Sequence, residues 1–249
     1  MAGVVVVFDF DRTLIDKDSD RWVIDHFGVT TLYTQLYPTM PWNSLVDRMI
    51  QEIHSQGRTI EEISECLKGV PLHPNIITAI KSAHNLGCDL RIVSDANMFF
   101  IETILMHHGI MECFSEINTN PIKIDEQRRL RVFPYHDASS APHGCTLTCP
   151  PHMCKGKIME RIRNSASFVE GQKQFIYIGD GGGDFCPSVK LKEEDYVMPR
   201  KDYPVCKMIC KNKSLMKAEI HEWSTGDELE VKLLGLINKI SGCQTTLKK

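Results

Sequence analysis

The sequence predicts an α/β protein with a doubly wound parallel sheet and a small helical cap inserted after the first strand. Three apolar runs predict the sheet: Val4–Phe8, 90–93 and 175–178. Each is rich in β-branched or aromatic residues and stops at a polar tip, as strands buried on both faces do. Helical patterns lie between the runs, and in such an alternation ligands bind beyond the carboxyl ends of the strands.

The helices are predicted from apolar residues spaced three and four positions apart. This spacing occurs at Ile76, Ile80 and Ala83, over residues 99–105, and at Ile158 and Ile162. Because these segments precede or follow the second and third apolar runs, we expect their helices to cover the faces of the sheet.

Two segments interrupt the alternation. Residues 17–71 contain helical patterns at 47–50 and 60–67, and they directly follow the first strand, so we expect a cap over the site. The predicted core therefore comprises residues 1–16 and 72–240, and residues 241–249 form a tail. Within the core, residues 122–124 and 130–132 predict a hairpin, followed by an ordered loop rich in Pro, His and Cys.

Composition limits the classes of partner. The 249 residues are 42% hydrophobic and 24% charged, which suits one sizeable core with a small accessory domain. Lys and Arg total 29 against 32 Asp and Glu, so no nucleic-acid partner is expected. The amino-terminal apolar run is too short to span a membrane and lacks the positive flank of a signal peptide. We therefore expect a cytoplasmic protein whose ten cysteines are mostly reduced thiols or metal ligands.

Acidic residues gather at two of the predicted strand ends. Asp9 and Asp11 are two apart, so extended backbone would direct both carboxylates to one side. Asp180 and Asp184 flank three glycines, which allow a tight turn close to an ion or phosphate. Four converging acids would repel one another unless a cation neutralised them, and oxygen-only ligation favours Mg²⁺ over zinc.

Two further polar residues suit a phosphoryl group. Ser94, at the second strand end, can donate a hydrogen bond to phosphate, and Lys155, before a predicted helix, can supply a positive charge. Phosphoryl transfer requires such partners, because the charge on the phosphoryl oxygens must be stabilised.

Together these residues resemble the four motifs of the haloacid dehalogenase superfamily. Residues 9–13, Asp-Phe-Asp-Arg-Thr, are similar to its DxDxT motif; Ser94 and Lys155 are similar to motifs II and III; and residues 179–184 are similar to GDxxxD. The order of the motifs is also that of the superfamily. The resemblance implies a Rossmann-like core and a phosphatase activity.

The resemblance also implies the catalytic roles. Asp9 is the expected nucleophile, which forms an aspartyl-phosphate intermediate, and Asp11 is the expected general acid and base. Mg²⁺ is expected on the Asp9 carboxylate, the Asp11 backbone carbonyl and Asp180, with Asp184 supporting it directly or through water. The alternative for these acids is a hydrogen-bonded turn without catalytic consequence.

Longer stretches resemble the phosphoethanolamine/phosphocholine phosphatase family. They are residues 8–11 with 16–20, residues 93–97 and residues 149–155. The resemblance implies a small phosphorylated metabolite as substrate. Phosphocholine or phosphoethanolamine is the first expectation and thiamine monophosphate the next, with inorganic pyrophosphate and pyridoxal phosphate as alternatives.

Asp20 and Asp95 match positions that are proposed in that family to receive the cationic amine of the substrate. Two carboxylates beside the site would attract such a leaving group and repel anionic ones. In the alternative interpretation, Asp20 caps the first helix of the cap and Asp95 only turns the chain.

A cluster of potential metal ligands precedes Lys155. It consists of His143, Cys145, Cys149, His152 and Cys154. These residues could hold a structural zinc ion, although the spacing of the cysteines is not that of a standard knuckle. The family usually has Cys-x₂-Cys here, and the extra residue in this chain weakens the case for Cys145. The alternative is a packed loop that positions Lys155.

Three rival functions share parts of this pattern. A haloalkanoic dehalogenase uses the first aspartate but needs no acid two residues later, so Asp11 favours phosphate chemistry. A phosphate-binding or receiver-like module would accept a phosphoryl group without turnover, whereas Asp11 placed to activate water favours turnover. A zinc-organised interaction protein with a dead site is disfavoured by the complete set of acids.

Overall fold

A computed structural model describes residues 3–137, 143–147, 149–165 and 173–246. A parallel six-stranded sheet has the strand order β3-β2-β1-β6-β7-β8, and β4 and β5 form a separate antiparallel hairpin. The strands are β1 Val4–Phe8, β2 Asp89–Asn97, β3 Phe114–Asn120, β4 Ile122–Ile124, β5 Leu130–Val132, β6 Gln174–Gly179, β7 Tyr196–Pro199 and β8 Glu219–Ile220. The predicted fold class is thereby confirmed.

Strand β1 lies at the centre of the sheet, between β2 and β6. All five of its residues are buried, and they alternate between two hydrophobic layers. Val4, Val6 and Phe8 pack in one layer, and Val5 and Val7 pack in the other. This two-sided burial explains why the strand has no polar position.

Helices cover both faces of the sheet. They are α1 Ser19–His26, α2 Thr30–Leu36, α3 Trp42–Ser55, α4 Ile60–Lys68, α5 Pro74–Asn85, α6 Met98–His107, α7 Lys155–Asn164, α8 Phe185–Val189, α9 Pro204–Lys211 and α10 Gly226–Thr246. Buried residues of α5, α6 and α10 join the layer of Phe8, and those of α7, α8 and α9 join the layer of Val5. Among the helices of the described residues, none is both long and apolar enough to cross a bilayer.

The segment between β1 and α5 forms the helices α1 to α4. Helix α4 begins with a capping box in which the Thr59 side chain accepts from the Glu62 N–H and the Glu62 carboxylate accepts from the Thr59 N–H. The buried residues of these helices belong to the same layer as α5 and α6. These four helices therefore pack against the rest of the chain and are not tethered to it by a linker.

The hairpin β4–β5 contacts helix α3 mainly through the half-buried carboxylate of Asp47. Asp47 of α3 accepts from the Arg131 side chain at 3.0 and 2.8 Å and from the Val132 N–H at 2.9 Å. Nearby, the Leu130 N–H donates to His54 Nε2 at 3.0 Å. The hairpin thus joins helix α3 to the core.

Several element boundaries differ from the sequence prediction. Strand β2 extends four residues beyond the apolar run, through Asn97, because its polar end pairs with β3 after a register shift. Residues 241–246, which we assign to a tail, are the last part of helix α10. The hairpin strands coincide with the predicted residues.

Asp47→Ala should lower the free energy of unfolding by about 2 kcal/mol, because it leaves the Arg131 guanidinium and the Val132 N–H without their shared acceptor. Urea denaturation followed by circular dichroism measures the change. Glu61→Ala, which removes an exposed pairing with Arg128, is the control and should leave the midpoint unchanged. Equal midpoints for Asp47→Ala and the unaltered protein would contradict the proposed anchoring.

Candidate active site

The loop after β1 holds Asp9 at the edge of the sheet. The Asp9 N–H donates to Ile178 O at 2.9 Å, and the chain then turns so that the Leu14 N–H bonds to Phe10 O at 2.8 Å. Arg12 has φ 56°, a left-handed conformation that a tight turn requires of it. The turn directs the Asp9 side chain inward, where it is 4% exposed.

Lys155 joins Asp9 to Asp184. Its Nζ lies 2.8 Å from Asp9 Oδ1 and 2.8 Å from Asp184 Oδ1. Burial alone would lower the pKa of Lys155, but the charges of Asp184 and Asp9 together raise it well above its usual value. The lysine therefore remains charged, and it supplies a fixed positive charge beside the predicted nucleophile.

Asp184 is held by a set of donors from β6 and the turn after it. Its carboxylate accepts from Tyr177 Oη at 2.6 Å, from the Asp180 N–H at 3.0 Å and from the Gly181 N–H at 2.8 Å. A Cβ at Gly179 would lie 2.5 Å from Asp184 Cγ, so only glycine fits there. The side chain is thereby fixed in one position.

The carboxylates of Asp9, Asp180 and Asp184 have oxygen atoms within 4.8 Å of one another. Burial, and then Asp184, raises the pKa of Asp9 well above its usual value and that of Asp180 to about 7. Both shifts show that the bare acids resist being charged together, because Lys155 offsets only part of their repulsion. Three buried carboxylates whose charges repel one another fit a hard divalent cation, which prefers oxygen ligands.

A second group of acids lies where the cap begins. Asp11, Asp18 and Asp20 have carboxylate oxygens within 4.8 Å of one another. Asp11 Oδ1 accepts from the Ser19 N–H at 2.9 Å, which links the nucleophile loop to helix α1. Burial raises the pKa of Asp11 well above its usual value, and the charge of Asp18 adds to the rise. Asp11 therefore retains its proton at higher pH than an exposed aspartate does.

Asp20 is a buried acid without a complete set of partners. It is 1% exposed, and its Oδ1 has no hydrogen-bond donor within the described part of the chain. Burial raises its pKa well above its usual value, followed by the charges of Asp11, Asp18 and Asp95. The cap of α1 is Asp18, whose Oδ1 accepts from the Arg21 N–H at 3.0 Å, so Asp20 does not cap this helix.

The end of strand β2 carries Ser94, Asp95 and Asn97. Ser94 is fully buried, and its Oγ accepts from the Ala96 N–H at 3.2 Å. The charge of Asp95 adds to the effect of burial in raising the pKa of both Asp9 and Asp20, so Asp95 acts on members of both acid groups. Asn97 caps helix α6 through the Phe100 N–H.

A cavity of about 560 Å³ opens beside the second acid group, between the nucleophile loop and helix α1. It is lined by Arg12, Asp16, Lys17, Asp18, Arg21, Trp22, Asp25 and His26. The cap aromatics Tyr37 and Trp42 pack edge-to-face on each other at 6.3 Å, and Trp22 Nε1 donates to Cys66 O. These contacts favour a packing role for the cap aromatics.

Sequence reasoning did not identify two residues of the site. Tyr177 occupies an inner position of an apolar strand, where an aromatic residue is expected for packing alone, and its hydroxyl reaches Asp184. Thr13 Oγ1 lies 3.4 Å from Asp180 Oδ1. Thr13 is the last residue of the DxDxT pattern, so that motif was the available signal.

Comparisons with known proteins agree with this site. Residues 4–237 match the family described as "Putative Phosphatase". The chain is 60% identical over 233 residues to Inorganic pyrophosphatase 1 of Arabidopsis thaliana, covering 93% of this chain and 79% of that protein. It is 54% identical over 241 residues to the Thiamine phosphate phosphatase-like protein of Arabidopsis thaliana, covering 97% of this chain and 98% of that protein.

A substrate-bound phosphoserine phosphatase has the same fold, with a TM-score of 0.59 at 16% identity over 92% of this chain and 97% of that one. The enzymatic interpretation and the resemblance stated from the sequence are thus confirmed. Because the family model covers most of the chain and both plant relatives are more than half identical to it, the chain belongs to this phosphatase family.

Proposed function

We propose that this phosphatase is Mg²⁺-dependent and hydrolyses a small phosphomonoester with a cationic leaving group through an aspartyl phosphate on Asp9. The observation that carries the proposal is Oδ1 of Asp20, which lies buried beside Asp11 and Asp18 and has no donor among the described residues. A buried carboxylate oxygen without a donor favours a cation or a proton beside it, and the amine of a substrate would supply the cation.

The Asp9 carboxylate, the Asp11 backbone carbonyl and Asp180 would hold Mg²⁺, and Asp184 would support it directly or through water. The close approach of the three carboxylates fits this assignment. When bound, the ion would neutralise charge on these acids and on the phosphoryl oxygens. Ser94 and Lys155 would bind the remaining phosphoryl oxygens, the serine as a hydrogen-bond donor and the lysine as a charge.

In the first step, Asp9 attacks phosphorus. The Phe10 N–H and Lys155 both donate to Asp9 Oδ1, at 2.7 and 2.8 Å, so we assign the attack to Oδ2. As the bond from phosphorus to the leaving oxygen breaks, Asp11 transfers its proton to that oxygen. The raised pKa of Asp11 suits this role, because the group must be protonated when the substrate binds.

In the second step, the same residue acts as a base. Asp11 removes a proton from a water molecule as its oxygen attacks the phosphorus of the aspartyl phosphate, which releases phosphate and restores the Asp9 carboxylate. The Ser19 N–H bond holds the Asp11 carboxylate in place for both transfers.

Asp20 and Asp95 would receive the amine of the leaving group. Phosphocholine and phosphoethanolamine fit this arrangement, and thiamine monophosphate also presents a cation. The 54% identical relative named Thiamine phosphate phosphatase-like protein supports the last of these.

Inorganic pyrophosphate is the second candidate, because the 60% identical relative is named Inorganic pyrophosphatase 1. Arg12, Lys17 and Arg21 line the neighbouring cavity and could pair with a second phosphate. Arg12 and Arg21 already contact Asp18 and Asp25, however, so part of their charge is compensated. This arrangement favours the cationic substrate.

Phosphate release should require Mg²⁺ and should be fastest with a cationic monoester in a panel of phosphocholine, phosphoethanolamine, thiamine monophosphate, pyridoxal phosphate and pyrophosphate. Fastest release from pyrophosphate would select the second candidate.

Asp9→Asn should reduce the rate of phosphate release by at least about 10³-fold, because the amide is not a nucleophile, while the thermal transition remains cooperative. Unchanged turnover by Asp9→Asn would refute the nucleophile assignment.

Asp20→Asn should lower kcat/KM for the preferred cationic substrate by about 10- to 100-fold, the loss expected when a charged hydrogen-bond partner is removed. The change for pyrophosphate should be much smaller, because pyrophosphate has no amine. Glu65→Gln is the matched control, since it removes one exposed acid of helix α4 that is not a member of the second acid group. Equal losses for both substrates would refute the role of Asp20 in specificity.

Asp18→Asn should move the alkaline limb of the kcat/KM profile to lower pH. The negative charge of Asp18 adds to the effect of burial in raising the pKa of Asp11, so its removal lowers that pKa, and the general acid loses its proton earlier. Asparagine keeps an acceptor for the N-cap of α1. Profiles measured with one substrate for both proteins test this, and a coincident or upward-shifted limb would contradict the assignment of Asp11.

A further inference from the structure

Four cysteine thiols meet outside the catalytic site. Cys145, Cys149 and Cys154 come from the loop before α7, and Cys186 comes from α8. The sulfur of Cys145 lies 3.7 Å from that of Cys149 and 3.6 Å from that of Cys186. The sulfur of Cys154 lies 3.6 Å from that of Cys149 and 3.8 Å from that of Cys186.

These distances match the edges of a metal tetrahedron. Four sulfurs at about 2.3 Å from a central zinc ion are about 3.8 Å from one another. A disulfide would bring two sulfurs to about 2.05 Å and leave the others apart. Here each of the four sulfurs has two neighbours at nearly equal distances, and all four lie within 4.8 Å of one another. The arrangement is that of ligands around one shared centre.

The membership of this group differs from the set that the sequence predicted. His143 accepts from the Cys145 N–H through Nδ1, and its Nε2 lies 3.1 Å from Pro150 O. His152 is buried apart from the group of four thiols. Cys186 takes the position that we expected an imidazole to fill, and Cys145 is a member despite its unusual spacing.

The surrounding chain accommodates the sulfurs closely. A Cβ at Gly156 would lie 2.3 Å from Cys186 Sγ, so glycine at this position leaves the room that the thiol occupies. The Lys157 N–H donates to Cys154 Sγ at 3.4 Å, a bond that favours the thiolate over the thiol. Cys154 and Cys186 are 0% and 3% exposed, which shields the centre from solvent.

The loop between β5 and α7 also needs a cross-link. Between β5 and α7, the described residues form no helix or strand, and a loop of this length in a compact domain requires another source of order. A metal centre of four thiolates would supply one, since it joins three points of the loop to helix α8.

We propose that Cys145, Cys149, Cys154 and Cys186 bind a structural zinc ion. The ion holds the loop that ends before Lys155 against the turn carrying Asp184. Cys154 directly precedes Lys155, and Cys186 lies two residues after Asp184. The ion therefore ties together the two chain segments whose side chains meet in the 2.8 Å contact between Lys155 Nζ and Asp184 Oδ1. Tetrahedral thiolate sites select zinc, whereas the carboxylates of the catalytic site select hard cations.

Metal analysis of the purified full-length protein tests the site independently of any substrate. We expect about one zinc per chain that survives dialysis against Mg²⁺ and is released when a mercurial reagent titrates the thiols. Protein produced with cobalt should show the visible bands of tetrahedral Co²⁺ and intense thiolate-to-cobalt charge transfer. Absence of zinc, iron in its place, or cobalt spectra without thiolate bands would overturn the proposal.

Variants locate the ion. Cys149→Ser, at a partly exposed position, should lose zinc, and so should Cys186→Ser. The pair Cys206→Ser with Cys210→Ser is the matched control, because those thiols lie with Glu222 in a separate group and should not affect the zinc content. Asp180→Asn should also keep its zinc, whereas loss of zinc from Asp180→Asn alone would place the ion among the catalytic acids and refute the four-thiolate site. The cobalt spectrum of the unaltered protein remains decisive if a cysteine variant fails to fold.

Discussion

Mutual repulsion among buried carboxylates is the constraint on which the rest of this structure depends. Asp9, Asp180 and Asp184 are each no more than 5% exposed and lie within 4.8 Å of one another, while Lys155 contacts two of them. Burial raises the pKa of Asp9 and Asp180 further than one lysine can offset. An acid whose pKa is higher in the folded than in the unfolded state destabilises the fold as pH rises past its ordinary value. A divalent cation bound among these acids, as proposed, would remove that cost, so its binding would also stabilise the fold.

The ends of the parallel strands and the turns that follow them position these charged side chains. Strands β1 and β6 are parallel neighbours, which is why Asp9 and Asp180 approach each other although the chain separates them widely. Because Gly179 has no side chain, the Asp184 carboxylate can pack against the end of strand β6. Helix α1 contributes a bond from the Ser19 N–H to Asp11. A displacement of helix α1 would therefore move the proposed general acid, which couples the position of the cap to chemistry at the core.

The sequence predicted some of the features that depend on contiguous residues, although strands β3 and β7 were not among them. Strand β1 and the hairpin strands were located to the residue, because burial pattern and turn residues define them locally. Strand β8 has two exposed residues and no apolar run, so nothing in the sequence indicated it. The hydroxyl of Tyr177 and the thiol of Cys186 were missed for another reason. Each is an ordinary core residue in its own segment, and its polar role arises only from a partner that folding brings next to it.

The second acid group is the physical basis of the proposed preference for a cationic leaving group. Burial, together with Asp11, Asp18 and Asp95, raises the pKa of Asp20, so the carboxyl tends to hold a proton when no cation is near. An ammonium group placed beside it favours the ionised form and displaces that proton. An anionic leaving group has the opposite effect, since it would add repulsion to a site that already resists ionisation. The proposed discrimination between a cationic monoester and pyrophosphate therefore rests on the same electrostatic balance as the proposed metal site of Asp9, Asp180 and Asp184.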